Sequence, residues 1–267
     1  FEEVRKLVAI TPRHSGSEGA ARAAEHLQQS LAPFTESCRI DAFRDDTPIG
    51  EVTFRNVIGV LRGEGKRLVI LASHYDTKSG ISDDFQGAND SGSSTGLLLE
   101  LARVLHEQAP LPFNIMFAFF DGEECMKAYG RNDGLHGSRR LVQKLQDRGN
   151  LSDVKALILL DMIGDRDLTV TIPRNVDRKL LALAFDAARA AGIRNKFSLP
   201  KVTIIDDHVP FLEAGIPAID LIDFQHGSKP GKNDYWHTEA DTLEHISPDS
   251  LESMGQVVIH MLNALAK

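Results

Sequence analysis

Hydrophobic and polar residues alternate along the chain in two patterns, which predict helices and strands in turn. Residues 17–31 carry Ala and Leu at three- and four-residue steps behind Ser17, which can cap a helix. Residues 67–72 form a continuous apolar run, which is typical of a strand buried on both faces. Together the helical patterns span residues 17–31, 92–105, 135–146, 176–191 and 248–265. The strand patterns span residues 53–61, 67–72, 114–120, 154–160 and 218–222, and a hairpin is predicted at residues 168–172.

This alternation predicts the α/β class, with a mostly parallel, mixed central sheet between two helical layers. No internal repeat or linker interrupts it, so we expect a single catalytic domain over residues 1–267, built as a three-layer sandwich. In open sheets of this kind the ligand cleft lies beyond the carboxyl ends of the strands. Residues 78–90 and 225–235 are rich in Gly and polar side chains and are expected to be loops over that cleft.

Composition narrows the possible partners. The chain has 267 residues, 42% of them hydrophobic, and its 30 basic and 38 acidic residues give a net charge of −8. No stripe of Lys or Arg could neutralise a phosphate backbone, so nucleic acid is not expected as a partner. No apolar stretch approaches the roughly 20 residues that a membrane-spanning helix needs. The oligomeric state stays open.

The start of the chain and its cysteines leave the cellular compartment open. The chain begins at Phe1 rather than Met, and a secreted or periplasmic location is expected if a leader was removed before that residue. Cys38 and Cys125 are the only cysteines, which is too few for a disulfide framework. Neither lies in a metal-binding spacing, and we interpret both as incidental.

Acids and imidazoles occur where the apolar runs end. His74 follows RLVILAS, Asp161 ends VKALILL, and the pair Glu123-Glu124 follows NIMFAFFDG. Catalytic zinc sites hold the metal through three imidazole or carboxylate ligands and leave one position open. With one acid left over as a proton carrier, the sequence predicts a zinc site from these groups: His74, Asp90, Glu123, Glu124, Asp161 and His237.

Each of these residues also has a plainer interpretation. A single acid after a strand, such as Asp90 or Asp161, is more often a solvated loop residue or a helix cap. The adjacent carboxylates of Glu123 and Glu124 differ, because they repel one another unless a cation or a shared proton relieves them. We therefore base the prediction on the joint pattern of several strand ends rather than on any one residue.

Asp76 is expected to support the zinc site from behind His74. In an extended segment, residues i and i+2 share a face, so the Asp76 carboxylate can accept the second imidazole N–H and set the tautomer. An exposed loop acid is the alternative. Ser91 beside Asp90 is weak evidence for a serine nucleophile, because no G-x-S-x-G elbow exists. The remaining histidines are expected on the surface or in the core: His14, His26, His106, His136, His226, His245 and His260.

Six segments in order carry a resemblance that covers nearly the whole chain: HYDTK, GANDSG, FDGEE, LLDMIGD, IDDHVPF and WHTEADT. This set resembles the zinc exopeptidase superfamily and, within it, the animal-type glutaminyl-peptide cyclotransferases, or glutaminyl cyclases. The motifs are highly specific for the superfamily and less so for the cyclases. The resemblance implies a zinc exopeptidase-like fold.

The resemblance also implies roles for the candidate residues. It implies a zinc held by Asp90, Glu124 and His237, with Glu123 as the catalytic acid and base. In the related di-zinc aminopeptidases a second metal shares the counterpart of Asp90 and is held by those of His74 and Asp161. Cyclases keep both counterparts but use one metal, and the acid matching Asp161 joins a hydrogen-bond network beside the catalytic Glu. One zinc is thus expected for a cyclase and two for an aminopeptidase.

Three further residues favour the cyclases. Asp206 matches an acid that contacts the substrate and joins the proton network, Trp236 matches an aromatic wall of the pocket, and Tyr129 falls at a substrate-binding position. Plain alternatives are a helix cap for Asp206, packing for Trp236 and surface exposure for Tyr129. Typical relatives carry Trp in place of Tyr129, and the segment GKND before Trp236 lacks an expected aromatic residue.

The predicted function is therefore a zinc-dependent glutaminyl cyclase that converts the N-terminal glutamine of peptides or proteins to pyroglutamate and releases ammonia. Intramolecular attack by the substrate's own α-amine makes this chemistry workable with one metal, because no metal-activated water is needed. The alternatives are a di-zinc aminopeptidase and, less favoured, a non-catalytic peptide-binding module. Every ligand and the base are intact, which argues against the binding module.

Overall fold

A mixed six-stranded sheet forms the centre of the protein, in a computed structural model that describes all 267 residues. The strands of the chain are β1 (Ser37–Thr47), β2 (Gly50–Leu61), β3 (Leu68–His74), β4 (Asn114–Phe120), β5 (Val154–Asp161), β6 (Val170–Thr171), β7 (Phe197–Ser198) and β8 (Ala218–Ile222). The large sheet has the order β1-β2-β4-β3-β5-β8. Its β4-β3-β5-β8 part is parallel, and β1 and β2 add an antiparallel edge.

Helices cover both faces of this sheet. They are α1 (Glu2–Val8), α2 (Glu18–Leu31), α3 (Ser94–His106), α4 (His136–Asp147), α5 (Arg178–Ala190), α6 (Val209–Glu213) and α7 (Pro248–Leu265). One face packs against α4 and α6, and the other packs against the remaining helices. The sequence of β3 is continuously apolar because both of its faces are buried. Leu71 packs in the core on one face of the sheet and Ile70 in the core on the other, and both residues are fully buried. The predicted α/β sandwich is thereby confirmed.

Capping residues mark the first turns of two helices, at the positions where the sequence predicted these helices to begin. Ser17 caps α2 by accepting a hydrogen bond from the Ala20 N–H at 2.9 Å, an interaction typically worth about 1 kcal/mol. Ser247 caps α7 in the same way through the Asp249 N–H, and Pro248 supplies the fixed φ of the first helical position. None of the helices is both long and apolar enough to cross a membrane.

The predicted hairpin at residues 168–172 is wrong. Strand β6 pairs in parallel with β7, in a separate two-stranded sheet. Parallel neighbours need a crossover connection, and α5 provides it, so a tight turn cannot join them. Helix α1 and strand β1 were not predicted from the sequence. Strand β1 pairs with β2 along its whole length, but its mostly exposed edge carries charged residues that obscure the strand pattern.

Candidate metal centre and active site

The carboxyl ends of the parallel strands bring the predicted ligands to one edge of the sheet. His74 and Asp161 are the last residues of β3 and β5, and these strands are direct neighbours. Glu123 and Glu124 follow β4 after a turn at Gly122, whose φ of +81° favours glycine. A Cβ atom at Gly122 would lie 2.5 Å from the Phe54 ring, so no other residue fits the turn without a shift.

Asp90, Glu124 and His237 bring together three donor atoms of the kinds that bind zinc. The Nε2 atom of His237 lies 2.8 Å from Oε1 of Glu124 and 3.3 Å from Oδ2 of Asp90. Zinc bonds of about 2.0–2.1 Å in tetrahedral geometry separate ligand atoms by roughly 3.3 Å. Moreover, Oε2 of Glu124 is buried without a hydrogen-bond partner. The residues present therefore fit one zinc ion, with ligands from three distant segments.

A second set of donor atoms adjoins the first. Nε2 of His74 lies 3.2 Å from Oδ1 of Asp90 and 3.4 Å from Oδ1 of Asp161. Asp90 belongs to both sets, with one carboxylate oxygen turned to each histidine. A single imidazole nitrogen carries at most one hydrogen, which cannot satisfy two carboxylates. The donor geometry accommodates a single ion at the first set or a second ion that shares Asp90.

Asp76 supports the site differently from the sequence expectation. Nδ1 of His74 lies 3.1 Å from the main-chain carbonyl of Asp76 and 3.5 Å from its carboxylate, so the carbonyl is the nearer acceptor. The carboxylate instead accepts the backbone N–H groups of Glu123 and Glu124, each at 3.2 Å. Asp76 thus sets the imidazole tautomer through its main chain and positions the two glutamates through its side chain.

Asp241 holds the segment that carries Asp90, a role that the sequence analysis missed. Its carboxylate accepts the N–H of Asn89 at 2.7 Å and that of Asp90 at 3.0 Å. His226 lies between Asp165 and Asp241, at 2.9 Å and 3.3 Å, and is fully buried, which agrees with the expectation of a surface or core position. Burial lowers the pKa of His226, but the two carboxylates outweigh it and raise the pKa to about 9. A charged imidazole therefore braces Asp241 at neutral pH.

Arg13 is a second buried cation near the acids, and nothing in its sequence context signals it. Its guanidinium donates to the main-chain carbonyls of Tyr75, Gln86 and Gly87 at 2.8–3.0 Å. Burial lowers the pKa of Arg13 to about 10, opposed by the charges of Asp241, Asp76 and Asp90. The guanidinium remains charged at neutral pH and offsets part of the negative charge around the ligands.

Lys78, in the loop after His74, approaches the ligand Glu124. Its Nζ lies 3.4 Å from Oε2 of Glu124 and 3.3 Å from Sγ of Cys125.

Cys125 and Cys38 are both free thiols. Burial raises the pKa of the Cys38 thiol to about 11, which keeps it protonated and unreactive at neutral pH.

Glu123 lines a cavity of about 280 Å³ together with the ligands Asp90, Glu124 and His237. Glu123 is 5% exposed, and its Oε1 accepts a hydrogen bond from the Tyr129 hydroxyl at 2.9 Å. Burial raises the pKa of Glu123 well above its usual range, with the charge of His74 opposing and the nearby acids adding to the shift. A carboxyl whose ionisation is disfavoured in this way holds a proton more readily than a solvent-exposed glutamate, which suits a group that must return a proton.

Part of the cavity wall is aromatic and apolar. Trp236 packs edge-on against Phe224, with ring centroids 4.9 Å apart, and stacks on His237 at 4.0 Å. Ile205 lines the same cavity, and so do Asp161 and Asp206 from the acidic side. Asp206 is 3% exposed, and its carboxylate does not cap α6. The structure thus places the predicted ligands other than His74, the candidate base and the three predicted substrate-binding residues around one cavity. His74 is not part of its lining and contacts Asp90 and Asp161 instead.

Comparison with known proteins identifies the family. The profile of peptidase family M28 matches residues 56–262. A glutaminyl-peptide cyclotransferase from Bos taurus is 30% identical over 93% of this chain and 77% of its own length. The crystal structure of a glutaminyl cyclase from an Acidobacteriales bacterium is 34% identical, with a TM-score of 0.94 over 99% of this chain and 92% of its own. A Zn-dependent exopeptidase from Parabacteroides distasonis is 26% identical, with a TM-score of 0.85 over 100% and 96%.

These similarities agree with the geometry of the cavity. The family match spans most of the chain, including the candidate ligands Asp90, Glu124 and His237 and the candidate base Glu123. The chain therefore belongs to peptidase family M28 and, within it, to the glutaminyl-peptide cyclotransferases.

Proposed function

We propose that this protein is a zinc-dependent glutaminyl cyclase that acts on the N-terminal glutamine of peptides or proteins. One zinc ion is held by Asp90, Glu124 and His237. The observation that carries the proposal is the position of Glu123, a buried carboxyl that shares one small cavity with the ligand set. The similarity to glutaminyl cyclases over nearly the whole chain supports the same assignment.

The reaction joins two atoms of the same residue. The substrate's α-amino nitrogen forms a bond to the side-chain amide carbon, and the bond from that carbon to the amide nitrogen breaks. Zinc, when bound, acts as a Lewis acid for the side-chain carbonyl. Because both reacting groups belong to one glutamine, the enzyme gains most by holding the side chain folded back on the α-amine. The wall formed by Trp236 and Phe224 suits that compact conformation.

Glu123 moves the proton in this scheme. Its carboxylate removes a proton from the α-amine as the new bond forms, and the resulting carboxylic acid returns it to the departing ammonia. The Tyr129 hydroxyl fixes Oε1 of Glu123 at 2.9 Å, and the Asp76 carboxylate holds its backbone N–H. Asp206 and Asp161 line the same cavity, and the charge of Asp206 contributes to the raised pKa of Glu123. A carboxyl that is costly to ionise is well suited to act first as base and then as acid.

A di-zinc aminopeptidase is the second candidate function. It is favoured by one observation, the set of His74 and Asp161 around the shared Asp90. Peptide hydrolysis requires an activated water, which a pair of ions generates readily. A peptide-binding module without activity is a third possibility, but the intact ligand set and base give it no support.

The deciding experiment supplies zinc-loaded protein with a peptide that begins with glutamine and, separately, with aminoacyl nitroanilides. Ammonia release and a blocked peptide N-terminus, without loss of the first residue, are the expected results. Cleavage of the nitroanilides without ammonia release would assign the protein to the aminopeptidases. Absence of both activities in protein with a full zinc complement would favour the binding module.

A further inference from the structure

The loop that carries Tyr129 has little regular structure of its own. No helix or strand lies between the end of β4 at Phe120 and the start of α4 at His136. Apart from Tyr129, residues 127–132 are all exposed. Yet the Tyr129 hydroxyl lies 2.9 Å from Oε1 of Glu123. A hydrogen bond weakens as its donor moves away, so other contacts must hold this loop in place.

The Asp133 carboxylate holds the segment just before Tyr129. Its Oδ1 accepts the Met126 N–H at 2.6 Å, and its Oδ2 accepts those of Lys127 and Ala128 at 2.8 Å and 2.9 Å. No main-chain carbonyl accepts any of these three N–H groups. Burial raises the pKa of Asp133, but the three N–H groups outweigh it and lower the pKa below its usual range, so the side chain is ionised at neutral pH.

Two further contacts hold the loop behind and after Tyr129. Gly134 has a φ of +75°, and a Cβ atom there would lie 2.5 Å from the Tyr129 ring, so the ring lies directly against the backbone. Arg139 of α4 donates to the main-chain carbonyls of Gly130 and Arg131 at 2.8 Å and 3.0 Å. The loop is thus held before Tyr129, behind its ring and after it.

We propose that Asp133 is a positioning residue for the proton transfer, acting through Tyr129 rather than on the substrate. Asp133 does not line the cavity. By fixing residues 126–128 it keeps the Tyr129 hydroxyl on Glu123, and that hydroxyl keeps the Glu123 carboxyl in one orientation. A base held in one orientation transfers a proton faster than one free to rotate, because the reactive geometry is present beforehand. The inference rests on the proposed function, in which Glu123 moves the proton.

The size of the effect follows from the hydrogen bonds that Asp133→Asn removes. Asparagine keeps the shape of the side chain but has one acceptor oxygen, so at least one of the three N–H groups must face an amide NH₂. The loosened loop then samples positions in which the Tyr129 hydroxyl leaves Glu123. Tyr129→Phe removes that hydroxyl altogether and should lower kcat by about tenfold, the effect of one hydrogen bond to a charged group. Asp133→Asn acts through the same hydroxyl, so its effect should not exceed that of Tyr129→Phe.

The test is a double-mutant cycle in kcat on a peptide that begins with glutamine, with each variant measured at its own pH optimum. Asp133→Asn should lower kcat by about three- to tenfold in the wild-type background but by less than about twofold in the Tyr129→Phe background, with unchanged zinc content. Hydrogen exchange over residues 125–134, followed by mass spectrometry, should be faster in Asp133→Asn. Asp177→Asn is the matched control, because Asp177 also accepts two backbone N–H groups, at the start of α5, and both measurements should equal those of the wild type.

An equal loss of kcat in both backgrounds would overturn the proposal, because a general effect on stability does not depend on the Tyr129 hydroxyl. Unchanged exchange over the loop, or faster exchange with unchanged kcat, would also overturn it. If Asp133→Asn does not fold, Arg139→Gln loosens the same loop at its other end and should show the same dependence on Tyr129. A failure of the proposed function is seen separately, as a wild-type protein that releases no ammonia, whereas hydrogen exchange reports the hold on the loop without turnover.

Discussion

Asp241→Asn should weaken zinc binding although Asp241 does not contact the metal. The carboxylate accepts one N–H from Asn89 and one from the ligand Asp90. Asparagine keeps the shape of the side chain but offers only one acceptor oxygen, so one of these buried N–H groups must face an amide NH₂. The turn that presents the Asp90 carboxylate then loses one of the two hydrogen bonds that it donates to residue 241.

The expected magnitude follows from the bond that is lost. A hydrogen bond to a charged acceptor contributes about 1.5–3 kcal/mol, and each 1.4 kcal/mol corresponds to roughly a tenfold change in an equilibrium constant. Residues that orient metal ligands typically change metal affinity by about 10–100-fold when mutated. Some of the loss will appear in folding stability, so we expect the zinc Kd to rise by about 10–100-fold rather than more.

The assay is competition for zinc between the protein and a chromophoric chelator, with the free energy of unfolding of the metal-free protein measured in parallel by urea denaturation. The matched control is Asp177→Asn. Asp177 also accepts two backbone N–H groups, at the start of α5, and asparagine caps helices about as well. Its zinc Kd should equal that of the wild type. A zinc Kd for Asp241→Asn within about twofold of wild type, alongside lower stability, would refute the reasoning.

Three further changes have defined outcomes. Glu123→Gln should lower kcat on a glutamine peptide by about 10²–10⁴-fold with unchanged zinc content, whereas loss of zinc would make Glu123 a ligand. Tyr129→Phe removes the hydrogen-bond donor to the ionised form of Glu123, so the pKa of that carboxyl should rise. The acidic limb of the pH profile of kcat/KM should then move to higher pH. A profile at the same pH as that of the wild type would contradict the role of Tyr129. His226 has a folded-state pKa of about 9, above its unfolded value of about 6.5, so its contribution to stability is complete below pH 6.5 and is lost as pH rises through 9. Urea unfolding across that range should show a smaller loss for His226→Gln than for wild type, and equal losses would contradict the ion pairs with Asp165 and Asp241.

The order of helices and strands and the candidate ligands could be predicted from the sequence, because both follow from local patterns of apolar and polar residues. Apolar runs such as 67–72 and 114–120 are too continuous for a half-exposed strand, and they alternate with helical periods, which requires crossovers and a largely parallel sheet. Parallel strands end at the same edge, so acids and imidazoles at the ends of different strands must lie close together. That is why His74, Glu124 and Asp161 could be assigned to one site before any coordinates.

The pairing of the strands and the residues that hold the candidate ligands in place could not be predicted in this way. The β6–β7 pair joins segments on either side of α5, and nothing local to residues 168–172 distinguishes that arrangement from a hairpin. Arg13, Asp241 and His226 serve the site through bonds to main-chain groups or to other acids far along the chain. The bond from Asp241 to the N–H of Asp90, for example, spans 151 positions. A side chain that hydrogen-bonds to a distant main-chain group produces no periodic pattern and no motif of fixed spacing in the sequence.

Burial and exact placement belong to the tertiary structure alone. The segment IDDHVPF marked Asp206 as a candidate, but only the fold places Asp206 beside Glu123 in the cavity and leaves it 3% exposed. The chemistry of a carboxyl depends on that environment, since burial without partners changes its affinity for protons and cations. Residue types and their order determine which reactions are possible for this chain, whereas the fold determines the distance, dielectric and hydrogen bonding that give each group its role.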